Sequence, residues 1–204
     1  VIDVQLFISV FVTLFVIMDP PGTVPIFLAL TRSMTHTQRA RAAWQALAVA
    51  FGVIVGFALF GQQLLTYLHV SLPALQAAGG LLLLLVAMQL LTGKDQGGVP
   101  DDVELGGNVA MVPLGTPLLA GPGAIVATMV FVHQATTASD WVALTLGILL
   151  VHACLYLAMR FATLVHRVLG DSGTLLISRI AGLLLAAIAA QMLANAVITF
   201  ARQV

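Results

Sequence analysis

A helix that starts near Val4 runs through apolar residues to Val16 and then meets Ile17-Met18-Asp19-Pro20-Pro21-Gly22-Thr23-Val24-Pro25. It cannot pass through that stretch undisturbed. Pro20 and Pro21 have no N–H to donate, so the carbonyls of Val16 and Ile17 lose their helical partners. Gly22 then admits backbone angles that other residues resist. Apolar sequence resumes from Ile26 to Leu30. Within hydrocarbon, irregular backbone survives only where protein or water covers it. Asp19 lies at the break and is the one carboxylate inside any long apolar run. An ionisable group on a broken membrane helix marks a candidate functional site.

Composition establishes that a membrane is the solvent. The chain of 204 residues is 60% hydrophobic and only 8% charged, with a mean hydropathy of +1.08, against roughly 25% charged residues in soluble domains. The expected class is an all-α membrane protein. A net charge of zero gives no basic face for nucleic acid, which is not expected as a partner. Cys154 is the only cysteine, so no intrachain disulfide or cysteine metal cluster is available. The first apolar segment carries Asp3 in place of a basic n-region and shows no small-residue cleavage site, so it is expected to stay in the mature protein.

About 20 apolar residues cross a bilayer, and on that ruler six spans appear, at about 4–31, 42–68, 75–91, 109–132, 141–161 and 175–200. The fourth reads Val112-Pro113-Leu114-Gly115-Thr116-Pro117-Leu118-Leu119-Ala120-Gly121-Pro122-Gly123 and is expected to be a second broken helix. An offset of 101 residues places Pro21-Gly22 on Pro122-Gly123, and an offset of 102 places Gly80 on Gly182, Ala87 on Ala189 and Gln89 on Gln191. Leucine matches mean little in a chain this apolar, but the Pro-Gly and Gln pairs carry weight. The reading is two three-helix repeats, 1–92 and 109–204, joined by a polar, glycine-rich linker at 93–108. Three spans per half make the halves inverted. With six spans, Arg32, Arg39, Arg41, Lys94, Arg160, Arg167 and Arg179 share one side and Arg202 stands alone on the other. The basic side should be cytoplasmic, which puts both termini outside.

Inverted repeats with discontinuous helices in matching positions are the pattern of secondary transporters, with the substrate at the repeat interface. The half-helices after Gly22 and Gly123 would each point unpaired N–H groups and a positive dipole end at their break, where carboxylates bind. The second half has Ala120 opposite Asp19. One acid beside two anion-receptive ends suits a zwitterion, and equally a coupling proton or sodium ion. The plain alternatives are that the prolines only kink helices for packing and that Asp19 only caps a half-helix. Gln89, Gln191 and Asn195 are amides in apolar spans, read either as interhelical hydrogen bonds or as cavity lining, with Gln191 and Asn195 on one helical face. His152 reads as a packing residue and no metal site is expected. Gly52 and Gly56 form a GxxxG pair that allows close helix approach, within the subunit or in a homo-oligomer.

Asp19-Pro20-Pro21-Gly22-Thr23-Val24-Pro25-Ile26-Phe27, together with Pro117-Leu118-Leu119-Ala120-Gly121-Pro122-Gly123-Ala124-Ile125, resembles the MarC family of bacterial and archaeal membrane proteins. The resemblance covers essentially the whole chain and implies six spans in an inverted-repeat fold in the cytoplasmic membrane. The family's name reflects an association with multiple antibiotic resistance, and some members look like transporters of small neutral amino acids such as glycine or alanine. Carried over by motif, the substrate site falls on Asp19, Pro21, Gly22 and Thr23, with Gly121, Pro122, Gly123 and Ala124 opposite. The expectation is a secondary transporter or exporter coupled to protons or sodium. The rival is a passive channel. No P-loop is present, so ATP is not the expected energy source, and no cofactor is expected. Nothing supplies the nucleophile–base pair or metal set of a membrane enzyme, so the chain is not read as one.

Overall fold

The break expected at the double proline is made one residue earlier, by Asp19. In a computed structural model that describes residues 2–92 and 119–203, α1 (Val4–Met18) stops at Asp19 and α2 (Pro20–Leu30) starts directly after it. Pro20 occupies the first position of α2, where its missing N–H would have no helical partner anyway. The remaining elements are α3 (His36–Tyr67), α4 (Leu72–Thr92), α5 (Pro122–Gln134), α6 (Ala138–Arg160) and α7 (Ala162–Gln203). No strand occurs among the described residues. Taken as one broken span, Val4–Leu30 joins α3, α4, α6 and α7 as long and apolar enough to cross a membrane. α5 is shorter. The sequence before Leu119, which includes Pro113, Gly115 and Pro117 and the linker 93–108, lies outside the described residues, so the fourth span is seen only from its break onward.

Local chemistry starts the helices where the sequence supplies caps. Thr35 and Gln38 form a reciprocal capping box at the head of α3, and Thr137 and Asp140 form another at α6, each satisfying two otherwise orphaned N–H groups. α7 begins at Ala162, well before the 175 expected from hydropathy, and is kinked at Gly170 (φ 63°). The residues before the kink include His166 and Arg167 beside exposed Leu164 and Val168. His166, Arg167, Asp171 and Ser172 interrupt the apolar run before 175, yet the backbone there is helical.

The helices alternate in direction. At one end the head of α3 meets the foot of α6, where Arg160 Nη1 donates to His36 Nε2 at 3.3 Å. At the other, the foot of α3 meets the foot of α5 through Gln62 Nε2 and His133 Nδ1 at 2.8 Å. Between them lies an apolar core that includes Val10, Leu14, Phe27, Ile54, Leu144 and Leu155.

α4 and α7 pack closely against each other, and two glycines make this approach possible. A Cβ on Gly80 would lie 2.9 Å from Leu193 Cγ and 3.0 Å from the Ala189 carbonyl oxygen, and one on Gly182 would lie 2.9 Å from Leu90 Cβ and 3.2 Å from the Ala87 carbonyl oxygen. These contacts exchange under the 102-residue offset, in which Gly80 and Ala87 correspond to Gly182 and Ala189. Gly80→Ala should therefore cost about 1–3 kcal/mol by overpacking. Gly52→Ala, whose Cβ meets nothing within 4 Å, should leave thermal unfolding in detergent unchanged or slightly raised. Gly56 is equally open, so the GxxxG pair makes no close approach to any of the described residues.

Candidate functional site

Asp19 terminates one helix and starts the next. Its backbone has φ 38° and ψ 70°, the left-handed region that aspartate and asparagine tolerate better than other residues with a side chain. Its own N–H donates to the Phe15 carbonyl at 3.0 Å, and its carbonyl accepts from the Thr23 N–H at 3.0 Å. Oδ1 of its carboxylate accepts from the Gly22 N–H at 3.2 Å, the capping role anticipated from the sequence. Oδ2 makes no hydrogen bond of good geometry although the residue is only 8% exposed, and the Ser178 hydroxyl of α7 is the donor that stands beside the carboxylate. Capping thus uses half of the carboxylate and leaves the other half uncommitted. A buried carboxylate oxygen without a well-placed donor costs more than the ~1–3 kcal/mol of an unsatisfied neutral group. Such an atom invites a cationic or protonated partner.

The Thr23 hydroxyl donates to the carbonyls of Asp19 at 2.9 Å and Met18 at 3.3 Å, so its proton serves the broken backbone. Thr23 is buried; Pro21 and Gly22 are half-buried. Gly22 must be glycine for a steric reason, because a Cβ there would collide with Asp19 Oδ2 and lie 2.9 Å from Ser178 Oγ. Ser178, buried on α7, completes this wall. Sequence reasoning missed it, since a single serine in a long span carries no motif. At 1.5 Å per residue, the 15 residues of α1 and the 11 of α2 span ~22 Å and ~16 Å, so Asp19 lies well inside the span.

The second break faces the first. Gly121 precedes α5 with no side-chain cap, and Pro122 takes the first helical position. The N–H groups of Ala124 and Ile125 close back on the Gly121 carbonyl at 3.0 and 3.2 Å. A Cβ on Gly123 would collide with Leu83 of α4 and lie 3.5 Å from Ile17 Cγ2, two residues before Asp19. Gly123 and Ala124 are buried, whereas Gly121 is half-buried and Pro122 exposed. The two breaks are therefore adjacent but chemically unequal. The N-terminus of α2 is already occupied by the Asp19 carboxylate, while that of α5 carries no side-chain ligand among the described residues and keeps its positive dipole end.

Gln89, Gln191 and Asn195 do not join them. All three are exposed on the outside of the subunit, and Gln191 Nε2 donates to Asn195 Oδ1 at 2.8 Å along one helix face. His152 is buried, bonds through Nδ1 to the Ile148 carbonyl at 2.8 Å and stands edge-on to Phe51, the packing role expected of it. Among the described residues no group of side chains could hold a metal ion.

The family profile described as MarC family integral membrane protein matches residues 4–201. A UPF0056 membrane protein of Methanocaldococcus jannaschii is 37% identical over 199 residues, which cover 96% of this chain and 97% of that protein. A UPF0056 membrane protein of Aquifex aeolicus is 33% identical, with coverages of 93% and 91%. The UPF0056 membrane protein YhcE of Escherichia coli is 31% identical over 202 residues, with coverages of 96% and 93%. No solved structure matches the chain.

Proposed function

This chain belongs to the MarC family of integral membrane proteins, and on that premise we propose that it is a secondary transporter of small neutral amino acids of the glycine or alanine type. The observation that carries the reading is the buried Asp19 Oδ2 without a hydrogen bond of good geometry, beside a helix N-terminus that has no side-chain cap. An α-amino acid presents an ammonium and a carboxylate a few ångströms apart. The ammonium would donate to Asp19 Oδ2. The carboxylate would take the dipole end of α5 and the Gly123 N–H, the one amide of its first turn not already bonded to the Gly121 carbonyl, since the end of α2 is filled by Asp19 itself. Gly22, Gly123 and Ala124 line the breaks with almost no side-chain bulk, which favours a small substrate. A proton or sodium ion on the same oxygen between substrates would keep the charge compensated and couple transport to a gradient.

The exchange of α4 and α7 contacts under the 102-residue offset supports an inverted repeat, and so do the two adjacent breaks. In such a fold the site sits where the halves meet, and rocking of one half against the other exposes it to alternate sides. The basic end of the bundle is then cytoplasmic, in the cell's inner membrane, with both termini outside.

Uptake of radiolabelled glycine and alanine into proteoliposomes under imposed proton or sodium gradients tests the reading. Saturable uptake driven by one gradient, with counterflow when the vesicles are preloaded, is the expected result. Linear uptake without counterflow would assign a channel, and no uptake of either amino acid by folded protein would remove the substrate.

A further inference from the structure

A second polar cluster lies at the basic end of the bundle, away from the two breaks. A shallow cleft opens between the head of α3, the foot of α6 and the start of α7; it encloses only about 20 Å³, about the room of one water, so a larger ligand would sit at its open mouth, and its polar lining is His36, Arg39, Arg160 and Thr163. Arg39 Nη2 donates to the Thr31 carbonyl at 3.2 Å, which fixes the guanidinium at the end of α2. Its Nε is buried and has no partner. Arg160 Nη1 lies 3.3 Å from His36 Nε2. A guanidinium can only donate, so His36 Nε2 is the acceptor in this bond. Two arginines thus line one cleft with no carboxylate among its lining residues. Asp171, the nearby acid on α7, is 3.6 Å from His166 and almost fully exposed.

We propose that this cleft is a binding site for a phosphate-bearing anion, with the phosphate held between the Arg39 and Arg160 guanidiniums. The planar forks of two arginines match phosphate oxygens, and Arg39 Nε supplies a buried donor that nothing else satisfies. The cleft sits at the helix ends, where headgroups lie in a bilayer. Phe161 and Leu164 flank its lining residues in sequence and are about half exposed, at 50% and 56%, which gives acyl chains an apolar surface. Basic pockets between spans on the cytoplasmic side bind anionic headgroups in this way. Phosphatidylglycerol and free inorganic phosphate share the chemistry, and the experiment separates them.

The test uses the full chain in nanodiscs of phosphatidylcholine, with or without phosphatidylglycerol, and reads retained lipid by native mass spectrometry and the melting temperature. Phosphatidylglycerol should be retained and raise the melting temperature. Arg39→Gln with Arg160→Gln should weaken retention about 30-fold, given the contribution of each arginine near an anionic headgroup. Arg160→Gln alone, which breaks no backbone hydrogen bond, should lose about 5-fold if the double variant folds poorly. Arg41→Gln, at the same end but outside the cleft, should lose little. Millimolar inorganic phosphate that raises the melting temperature in pure phosphatidylcholine, and does so only with both arginines present, would assign the site to free phosphate. Equal losses from Arg41→Gln and Arg160→Gln would reduce the effect to surface charge and overturn the proposal. Retention that emerges only when Asp101, Asp102 and Glu104 are neutralised would give the cleft to the chain's own linker, and would overturn it too.

Discussion

Asp19→Asn should abolish gradient-driven uptake while leaving the fold as stable as before or more so. Asparagine is the substitution that isolates charge at this position. It tolerates the left-handed backbone that Asp19 adopts, and its amide oxygen can still accept from the Gly22 N–H, so both helix ends remain capped. What disappears is the second, unpartnered oxygen as an anionic acceptor. A charged hydrogen bond is worth roughly 1.5–3 kcal/mol, so transport efficiency should fall by about one to two orders of magnitude, enough to bring gradient-driven uptake to background. Stability moves the other way, because an uncompensated buried charge is itself unfavourable. Asp19→Ala would lose transport and stability together, as it removes the cap and places alanine in a strained backbone region. Uptake and thermal unfolding measured side by side on the two variants separate a ligand from a cap. Unchanged uptake in Asp19→Asn would leave Asp19 with the capping role alone.

Much of this arrangement was legible in the sequence because prolines act locally. Pro20 and Pro21 cannot continue a helix whatever surrounds them, and Asp19 before them is a cap in any setting. The same logic located the second break at its Pro-Gly pair, although it began the half-helices after Gly22 and Gly123, whereas α2 and α5 start at Pro20 and Pro122. Facing was not legible in that way. Gln191 and Asn195 share a helix face by their spacing, but spacing does not say whether that face looks inward, and here it looks out. Spacing likewise left open whether Gly52 and Gly56 meet a helix within the subunit or in a second copy, and among the described residues a Cβ at either would meet nothing within 4 Å. Gly80 and Gly182, with no GxxxG spacing around them, make the close approach instead. Ser178 was invisible because its importance comes entirely from the fold, which brings α7 against the first break.

The inequality of the two breaks follows from one residue. Ala120 stands where the offset expects a partner for Asp19, so α5 is left without the carboxylate that caps α2. Two acids at adjacent breaks would crowd like charges in a poorly solvated site, and one of them would have to be neutralised. One acid and one uncapped helix end give opposite electrostatic preferences a short distance apart. This is the minimal arrangement that orients a zwitterion.

Gly22→Ala should be the most damaging single-methyl change in the chain. The added Cβ would collide with the Asp19 carboxylate and lie 2.7 Å from its Cγ and 2.9 Å from Ser178 Oγ. Asp19 can yield only by rotating its carboxylate away, which breaks the bond from the Gly22 N–H and moves Oδ2 out of the break. Overpacking of this kind costs about 1–3 kcal/mol, and the displaced carboxylate should remove transport altogether. Gly22→Ala with Ser178→Ala relieves one of the two clashes, so it should recover part of the thermal stability and none of the uptake. Gly123→Ala meets chiefly the flexible end of Leu83, which can shift, and should cost less on both counts. Thermal unfolding and uptake across these variants form the check. Restored uptake in the Gly22→Ala, Ser178→Ala pair would mean that crowding by Ser178, and not the position of the Asp19 carboxylate, limits the site.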